Sequence, residues 1–358
     1  MENIIINTIP AYENADIGIK LLEKDPEGFC KAIAKKGAAN IYILADSKKN
    51  LNLNDVTVVP IDAKSGFRFS IPSAAWRAVS GENPLPGYEL PADATDIVST
   101  VEDILNADKK TLVIVTCDGK KKEITINKQS TASDIIGGAG KSDRTKAVFL
   151  GYPMGIMLTE NGMDTALELT TDYALIITED GCILHNLAEI MKTYYNQCCG
   201  QCVFGYEGLY QLQAILTDIT LKKGSSADIG LLTEVSKAME KNCLCHIGRS
   251  AATLTLSTLG LFEAEITEHI TKKNCKAAYC KKYVTYHILK DKCTGCMECK
   301  DACDDDAIAG KKKFVHVIDQ DECTQCGNCF EACEYDAIVK AGAIKPRCPS
   351  KPIPCEVR

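Results

Sequence analysis

Residues 293–308 read CTGCMECKDACDDDAI and residues 323–338 read CTQCGNCFEACEYDAI, so the C-terminal part of the chain carries one pattern twice. Each copy has the spacing C-x2-C-x2-C-x3-C. Three closely spaced thiolates can take three corners of a [4Fe–4S] cube, and the fourth cysteine of such a run ligates the other cluster. The repeat therefore predicts two cubes with exchanged ligands, one held by Cys293, Cys296, Cys299 and Cys333, the other by Cys323, Cys326, Cys329 and Cys303.

This spacing is that of bacterial two-cluster ferredoxins, and it predicts a ferredoxin-type βαββαβ domain at the C-terminus. Eight structural thiols or zinc are the alternatives, but a zinc ion needs four ligands and gives no reason for reciprocal duplication. The pattern is broken at Asp304 and Glu334, which follow the fourth cysteine of each run where ferredoxins usually have proline. Negative charge beside both cubes favours their oxidised form and predicts lower reduction potentials.

Composition places the repeat in a multidomain α+β chain. The 358 residues, 46% of them hydrophobic, are enough for two or three globular domains. The net charge is −7, and the sequence has no basic stripe that would indicate binding to nucleic acid or to an anionic membrane. The start, MENIIINTIP, lacks the features of a signal peptide, and the apolar stretch AATLTLSTLGLF is too short and polar to span a membrane. We therefore expect a cytoplasmic protein without a membrane span.

Cysteine usage divides the chain. Residues 1–180 hold only Cys30 and Cys117 of the twenty cysteines. In that part NIYILA and VTVVP predict buried strands, the segment around Pro26 predicts helices, and 82–96 predicts a loop. IVSTVEDILN predicts a helix, TLVIVTCDGKKKEITI a hairpin around Asp118–Gly119, and 133–140 a short helix ending in glycine. From Leu184 to about Ile270 the pattern is helical.

A second cysteine group lies in this helical region. Residues 196–208 read NQCCGQCVFGYEG, with thiols at Cys198, Cys199 and Cys202 but Gly205 where a C-x2-C-x2-C run would have its third cysteine. Further along, KNCLCHIG adds Cys243 and Cys245. The residues alone leave three interpretations open: a cluster site, a damaged one, or buried thiols.

The segments KTYYNQCCGQCVFGYEGLYQLQAIL and KNCLCHIGRSAATLTLSTLGLFEAEITEHI resemble the flavoprotein (NADH-binding) subunit of respiratory complex I and the beta subunit of electron-bifurcating hydrogenases. The family pattern is S-C-G-x-C-x-x-C-R-x-G, then S-x-C-x-L-G. Residues 111–140, followed by KAVFLGYPMG, resemble the family's β-grasp (SLBB-like) domain. The resemblance implies four parts: a reduced α/β N-terminal region (1–95), a β-grasp domain (96–182), a helical iron–sulfur domain (183–272) and the two-cluster ferredoxin with its flanks (273–358).

The resemblance also implies a third cluster. Carried over one residue at a time, the family's four ligand positions fall on Cys199, Cys202, Gly205 and Cys245, so three of the four ligands are present. Cys198 and Cys243 are extra thiols at positions where the family has serine. We expect a cluster held by Cys199, Cys202, Cys245 and one of Cys198 or Cys243, as [4Fe–4S] or as [2Fe–2S]; a vestigial thiol group is the alternative.

The N-terminal region departs from the family. The glycine-rich G-R-G-G-A-G-F loop and the N-x-D-E-x-x-P-G segment that bind FMN and NADH are missing, so we expect no FMN. The stretch GGAGKS at 137–142 is not a phosphate-binding loop, since that motif needs glycine where Ile135 stands, and it is interpreted as a helix end with a loop.

A structural zinc is expected at Cys275 and Cys280, because CKAAYC matches a C-P-A-G-V-C element of bifurcating-hydrogenase relatives. The companions considered are His269, Cys348, His287 and Cys355; thiols without metal are the alternative. The isolated Cys30, Cys117 and Cys182 are interpreted as small core residues.

No catalytic Ser–His–Asp or paired-carboxylate arrangement stands out. The prediction is therefore an iron–sulfur electron-transfer subunit of a multi-subunit oxidoreductase, whose partners include a flavoprotein and, as a second candidate, a ferredoxin. The alternatives are an NADH-oxidising FMN subunit with a diverged flavin site, or a ligand-binding scaffold with structural clusters.

Overall fold

The structure is a computed structural model that describes residues 3–10, 16–49, 51, 53–87, 97–140, 144–151, 155–342 and 344–355. Parts of the predicted 82–96 loop, of GGAGKS and of KAVFLGYPMG lie outside these residues. Internal contacts divide the chain into two compact units: the first holds 1–179, 186–214 and 229–261, and the second holds 180–185, 215–228 and 262–358. The predicted four-part division remains a prediction.

The N-terminal region forms a parallel sheet in the order β3-β2-β1-β4. Its strands are β1 Asn3–Asn7, β2 Asn40–Asp46, β3 Thr57–Ile61 and β4 Ile97–Thr100, and its helices are α1 Ile17–Lys24, α2 Pro26–Ala34 and α3 Pro72–Val79. Ile4 and Ile6 pack into one hydrophobic cluster and Ile5 into another, so both faces of β1 are covered. Burial on both faces is why these strands are continuously apolar rather than alternating.

One prediction here is wrong in part. IVSTVEDILN is helical only over α4 Val101–Leu105, while its first residues form β4 and pair with β1. The break comes at Thr100, whose side chain accepts a hydrogen bond from the Asp103 backbone while the Asp103 carboxylate accepts one from the Thr100 backbone. This reciprocal capping begins a helix after an extended residue.

The next region is a mixed sheet in the order β6-β5-β11-β8-β9. Its strands are β5 Lys109–Thr116, β6 Lys121–Asn127, β8 Thr145–Leu150, β9 Ile156–Leu158 and β11 Tyr173–Thr178; β7 Gln129–Thr131 pairs separately with β10 Ala166–Glu168. The outer pairs are antiparallel and β5 runs parallel to β11. The predicted hairpin is confirmed by β5 and β6, and the predicted short helix by α5 Ala132–Ala139, which ends at left-handed Gly140.

The predicted helical region contains α6 Ile183–Gln197, α7 Val203–Thr220, α8 Ala227–Asn242, α9 His246–Leu261 and α10 Glu263–Thr271. Small residues let the beginnings of α7 and α9 approach each other. A side chain at Gly248 would place its Cβ 3.5 Å from the Cα of Gly205. The cysteines of this region lie in the short junctions that precede these two helices.

The C-terminal region has the predicted βαββαβ order. Its elements are β12 Thr285–Ile288, α11 Glu298–Asp301, β13 Ile308–Ala309, β14 Val317–Ile318, α12 Asn328–Glu331 and β15 Ile338–Ala341. β12 pairs with β15, and β13 pairs with β14. The backbone repeats as the sequence does: Met297 and Gly327 have φ of 87° and 93°, and Asp306 and Asp336 have φ of 52° and 48°.

Candidate iron–sulfur and zinc centres

Two cavities in the C-terminal region are lined by the two predicted ligand sets. The first-run cavity is bordered by Cys293, Cys296, Cys299 and Cys333, and the second-run cavity by Cys323, Cys326, Cys329 and Cys303. The first-run cavity encloses about 290 Å³ of non-protein space and the second-run cavity about 300 Å³, the open mouths included. Three cysteines of one run thus meet the fourth cysteine of the other, which is the arrangement that exchanged cluster ligation requires.

The chemistry of the donors fits a metal cluster. Cys299 and Cys329 are buried, and burial raises their pKa values to about 12 and about 11. Such thiols ionise readily only when a cation binds the sulfur, and metal coordination deprotonates a thiol outright. Cys296 and Cys326 are exposed, so one corner of each site faces solvent.

The duplicated halves differ in one buried residue that the sequence did not single out. His316 lies just before β14 and lines the first-run cavity, with its Nδ1 4.0 Å from Cys293 Sγ and its Nε2 3.2 Å from Met297 Sδ. Tyr286 in β12 lines the second-run cavity, next to Gly327. Alignment of the two halves on their first cysteines would have shown that His316 and Tyr286 occupy equivalent places.

A third thiol group lies at the two helix junctions of the first unit. The half-buried Cys198, Cys199 and Cys202 join α6 to α7, and the buried Cys243 and Cys245 join α8 to α9. A Cβ at position 205 would lie 2.7 Å from Cys202 Sγ, 3.9 Å from Cys198 Sγ and 4.0 Å from Cys243 Sγ. Both extra thiols therefore flank the place where the family has its missing ligand.

The thiols of this group have unlike environments. The hydrogen bond from Cys198 is the main cause that lowers the pKa of Cys199, to about 6, and the Arg68 guanidinium contributes. Burial raises the pKa of Cys243 to about 12. Burial, with a contribution from the Arg249 charge, also lowers the pKa of the adjacent His246, which favours its neutral imidazole. The set thus combines one readily formed thiolate with thiols that need a cation to ionise.

A fourth group is a compact set of Cys182, His269, Cys275 and Cys280. All four residues are buried, and their ligand atoms lie within 4.8 Å of one another. Neither ring nitrogen of His269 has a hydrogen-bond partner in the described part of the chain. Three thiols and an imidazole at this separation are the donor set of a tetrahedral structural zinc site.

Local structure explains how this set forms. Cys182 immediately precedes α6 and His269 lies in α10, where its ring packs on Tyr283 at 4.2 Å between centroids. A tight turn, closed by the Ala278 amide on the Cys275 carbonyl, brings Cys275 and Cys280 together. Hydrogen bonds from the Cys182 and Cys280 thiols lower the pKa of Cys275, while the hydrogen bonds of Cys280 with Cys182 and Cys275 raise the pKa of Cys280.

Two expectations about this set need correction. Cys182 is buried, but it belongs to the four-residue group instead of being an inert core thiol. Cys348 lies away from the group, beside His287 and Pro346 in a separate groove. The tail pairs with residues 313–315, and its Cys355 lies near Cys293 instead. Of the companions considered, His269 alone joins Cys275 and Cys280, because α10 ends beside their turn.

The remaining isolated cysteines carry no metal group within the described residues. Cys30 packs against the hydrophobic cluster around Phe29. Cys117 Sγ lies 3.2 Å from Thr178 Oγ1 at the end of the mixed sheet. No helix in the described ranges is both long and apolar enough to cross a membrane.

Two family models match the regions that contain these groups. Residues 185–269 match the NADH-ubiquinone oxidoreductase-F iron–sulfur binding region, and residues 292–337 match a 4Fe-4S dicluster domain. The chain resembles the family of complex I flavoprotein subunits. Both matches fall on the regions that contain the candidate cluster ligands, which supports iron–sulfur binding by this chain.

Individual proteins with known names are similar to parts of the chain. NADP-reducing hydrogenase subunit HndC of Solidesulfovibrio fructosivorans is 31% identical over 193 residues, 51% of this chain and 39% of that protein. An NADH-quinone oxidoreductase subunit of Streptomyces coelicolor is 28% identical over 152 residues, 40% of this chain and 34% of that protein. The chain thus spans between a third and two fifths of the length of these relatives.

A solved structure is similar in fold. A chain of NAD+-reducing [NiFe]-hydrogenase in the H2-reduced state superposes with a TM-score of 0.62 at 14% identity, covering 75% of this chain and 56% of that one. At this identity the likeness shows a shared mixed α/β multidomain fold, and the chemistry has to be argued from the residues.

Proposed function

We propose that the chain is an iron–sulfur electron-transfer subunit of a larger oxidoreductase complex. The observation that carries the proposal is the pair of cavities in which three cysteines of one run meet the fourth cysteine of the other. Two cubes held in this way accept and donate single electrons. Their exposed corners at Cys296 and Cys326 offer an entry and an exit for electrons.

A third centre extends the relay into the first unit. We assign Cys199, Cys202 and Cys245 as ligands, with Cys198 or Cys243 as the fourth. The support is that these thiols lie at two helix junctions that approach each other, where a Cβ at position 205 would lie within 4.0 Å of the sulfur atoms of Cys198, Cys202 and Cys243. Four thiolates serve either a [4Fe–4S] or a [2Fe–2S] centre, so the donor set leaves the type open.

Zinc is the fourth metal centre of the proposal, held by Cys182, His269, Cys275 and Cys280. Four buried protein ligands leave no open position, which is typical of structural rather than catalytic zinc. In this role the ion fixes the segment 180–185 to the turn that leads into the ferredoxin region, both within the second unit.

The flavin chemistry is assigned to a partner, since no glycine-rich flavin loop occurs in the sequence. The N-terminal sheet is then a reduced flavin domain and the mixed sheet a β-grasp domain. The order β6-β5-β11-β8-β9, with the central β5 and β11 parallel, supports the β-grasp assignment. The complex is placed in the cytoplasm, with a flavoprotein as electron donor or acceptor and a ferredoxin as a further candidate partner.

The test uses the full chain, purified anaerobically and reconstituted with iron and sulfide. Iron, sulfide, zinc and flavin are measured, and the paramagnetic centres are counted in a reductive titration. We expect three reducible centres, about one zinc and no FMN. A chain that folds but stays free of iron would contradict the relay, and stoichiometric FMN would return the flavin chemistry to this chain.

A further inference from the structure

A short segment of the N-terminal domain, residues 66–69, is packed against the end of α6 where the third thiol group begins. Phe67 and Phe69 are 1% and 2% exposed, and Phe67 meets Tyr194 edge-to-face at 5.7 Å between ring centroids. Gly66 has φ +49°, and a Cβ there would lie 2.6 Å from Gln197 Oε1. The backbone angle favours glycine, and a side chain at this position would displace the Gln197 amide.

This packing directs Arg68 toward the thiols. Its Nη2 donates hydrogen bonds to the Gln197 carbonyl at 3.1 Å and to the Cys198 carbonyl at 3.3 Å. Exposed carbonyls at the C-terminus of a helix attract cations, so the guanidinium is held at the end of α6. Its charge contributes to the lowered pKa of Cys199, which places it within electrostatic reach of that sulfur.

One donor of Arg68 has no acceptor. Its Nε is buried and makes no hydrogen bond to any residue of the described ranges. A buried donor without a partner is costly, and guanidinium groups are normally fully bonded. The thiol group begins at Cys198, whose carbonyl already accepts a hydrogen bond from Arg68, and it would offer an acceptor as a thiolate or as a sulfide of a bound cluster.

We infer that Arg68 is a positioning residue of the third iron–sulfur centre, donating its Nε–H to the Cys199 thiolate or to a sulfide of the cluster. The inference rests on the proposed third centre. Reduction adds negative charge to a cluster, and a nearby cation or hydrogen-bond donor stabilises that charge. Arg68 therefore raises the reduction potential of the third centre, and this gives the N-terminal domain a role in the relay without a flavin of its own.

The experiment is a potentiometric titration of the full reconstituted chain, followed by electron paramagnetic resonance. Loss of a signal in Cys202→Ser identifies the third centre. Arg68→Gln is expected to lower its midpoint potential by about 59 mV, which is a tenfold change in a one-electron equilibrium. Arg68→Lys keeps the charge but lacks the Nε donor, so a smaller shift in the same direction is expected.

Arg77→Gln is the matched control, because Arg77 lies in α3 of the same domain and pairs with Glu82. It should leave all potentials unchanged. If the midpoint potential of the third centre is unchanged in Arg68→Gln, the proposed role of Arg68 is wrong, whereas the third centre itself stands. If Cys202→Ser removes no signal, the third centre is absent and the inference fails with it. If Arg68→Gln does not fold or loses the centre, Arg68→Lys decides: a lowered potential supports the inference, and a wild-type potential overturns it.

Discussion

The ferredoxin sites and the third thiol group differ in how the chain brings the thiols of one site together. In the C-terminal region each site draws three cysteines from one short run and one from its duplicate. In the first unit the thiols come from two helix junctions, Cys198–Cys202 and Cys243–Cys245, brought together by the close approach of α7 and α9. In a local run the spacing of the cysteines fixes which residues are ligands. In a site between helices, a cysteine from a neighbouring position can take the place of a lost ligand.

The largest expected effect tests the exchange of ligands between runs. Cys303→Ala should damage the cube of the second run, and Cys333→Ala the cube of the first, since each lines the opposite cavity. Iron should fall by up to about four atoms per chain in each variant. Magnetic resonance would identify the lost cube by comparison with Cys329→Ser and Cys299→Ser. Loss of the cube belonging to the substituted run would show that the ligands are not exchanged.

A loss of iron no larger than this, and smaller if the third centre is [2Fe–2S], is expected when its fourth ligand is substituted. We expect Cys243→Ser to remove this centre, because Cys243 is fully buried and its raised pKa favours ionisation on a bound metal rather than without one. Cys198→Ser is the matched variant and should retain the centre. Gly205→Cys added to Cys243→Ser should restore iron in part, since a Cβ at 205 would lie 2.7 Å from Cys202 Sγ and 3.9 Å from Cys198 Sγ. The reverse result, with Cys198 essential, would make the half-buried thiol the ligand.

Loss of a single metal ion is expected at the zinc group. Cys182→Ser should remove about one zinc per chain and lower the midpoint of thermal unfolding, because a structural zinc contributes directly to folding. Metal analysis and calorimetry check both effects. Cys348→Ser is the control and should keep its zinc, as Cys348 lies in another groove. A full zinc content in Cys182→Ser would return Cys182 to an ordinary core thiol.

The smallest effect concerns the charges after each run. Asp304 and Glu334 are exposed, so Asp304→Asn and Glu334→Gln should raise the potential of the nearby cube only slightly. Two unit charges about 10 Å apart in water interact by about 0.4 kcal/mol before screening. The shift should shrink further in 1 M salt, where the Debye length is about 3 Å. A large, salt-independent shift would mean that these carboxylates act at short range.

The metal groups differ in how far the sequence could predict them. The repeated spacing was enough to propose both ferredoxin ligand sets, including the exchange of Cys303 and Cys333. For the zinc group, the resemblance of CKAAYC to a family element indicated Cys275 and Cys280, with His269 among the companions considered, but Cys182 lies some ninety residues earlier and has no motif around it. Arg68 was missed for the same reason: its role depends on a left-handed glycine and on the end of a distant helix.

Spacing along the chain is sufficient where a few consecutive residues hold one cluster, because covalent geometry limits how far those thiols can separate. Hydrophobic pattern likewise predicted the β5–β6 hairpin and the helical region, since alternation and helical periodicity are local properties. Tertiary structure alone decided three placements. These are Cys182 instead of Cys348 in the zinc group, the thiols around position 205, and the Arg68 cation at the end of α6. Each joins segments that are distant in sequence, and their distance in space is set by the packing of buried side chains.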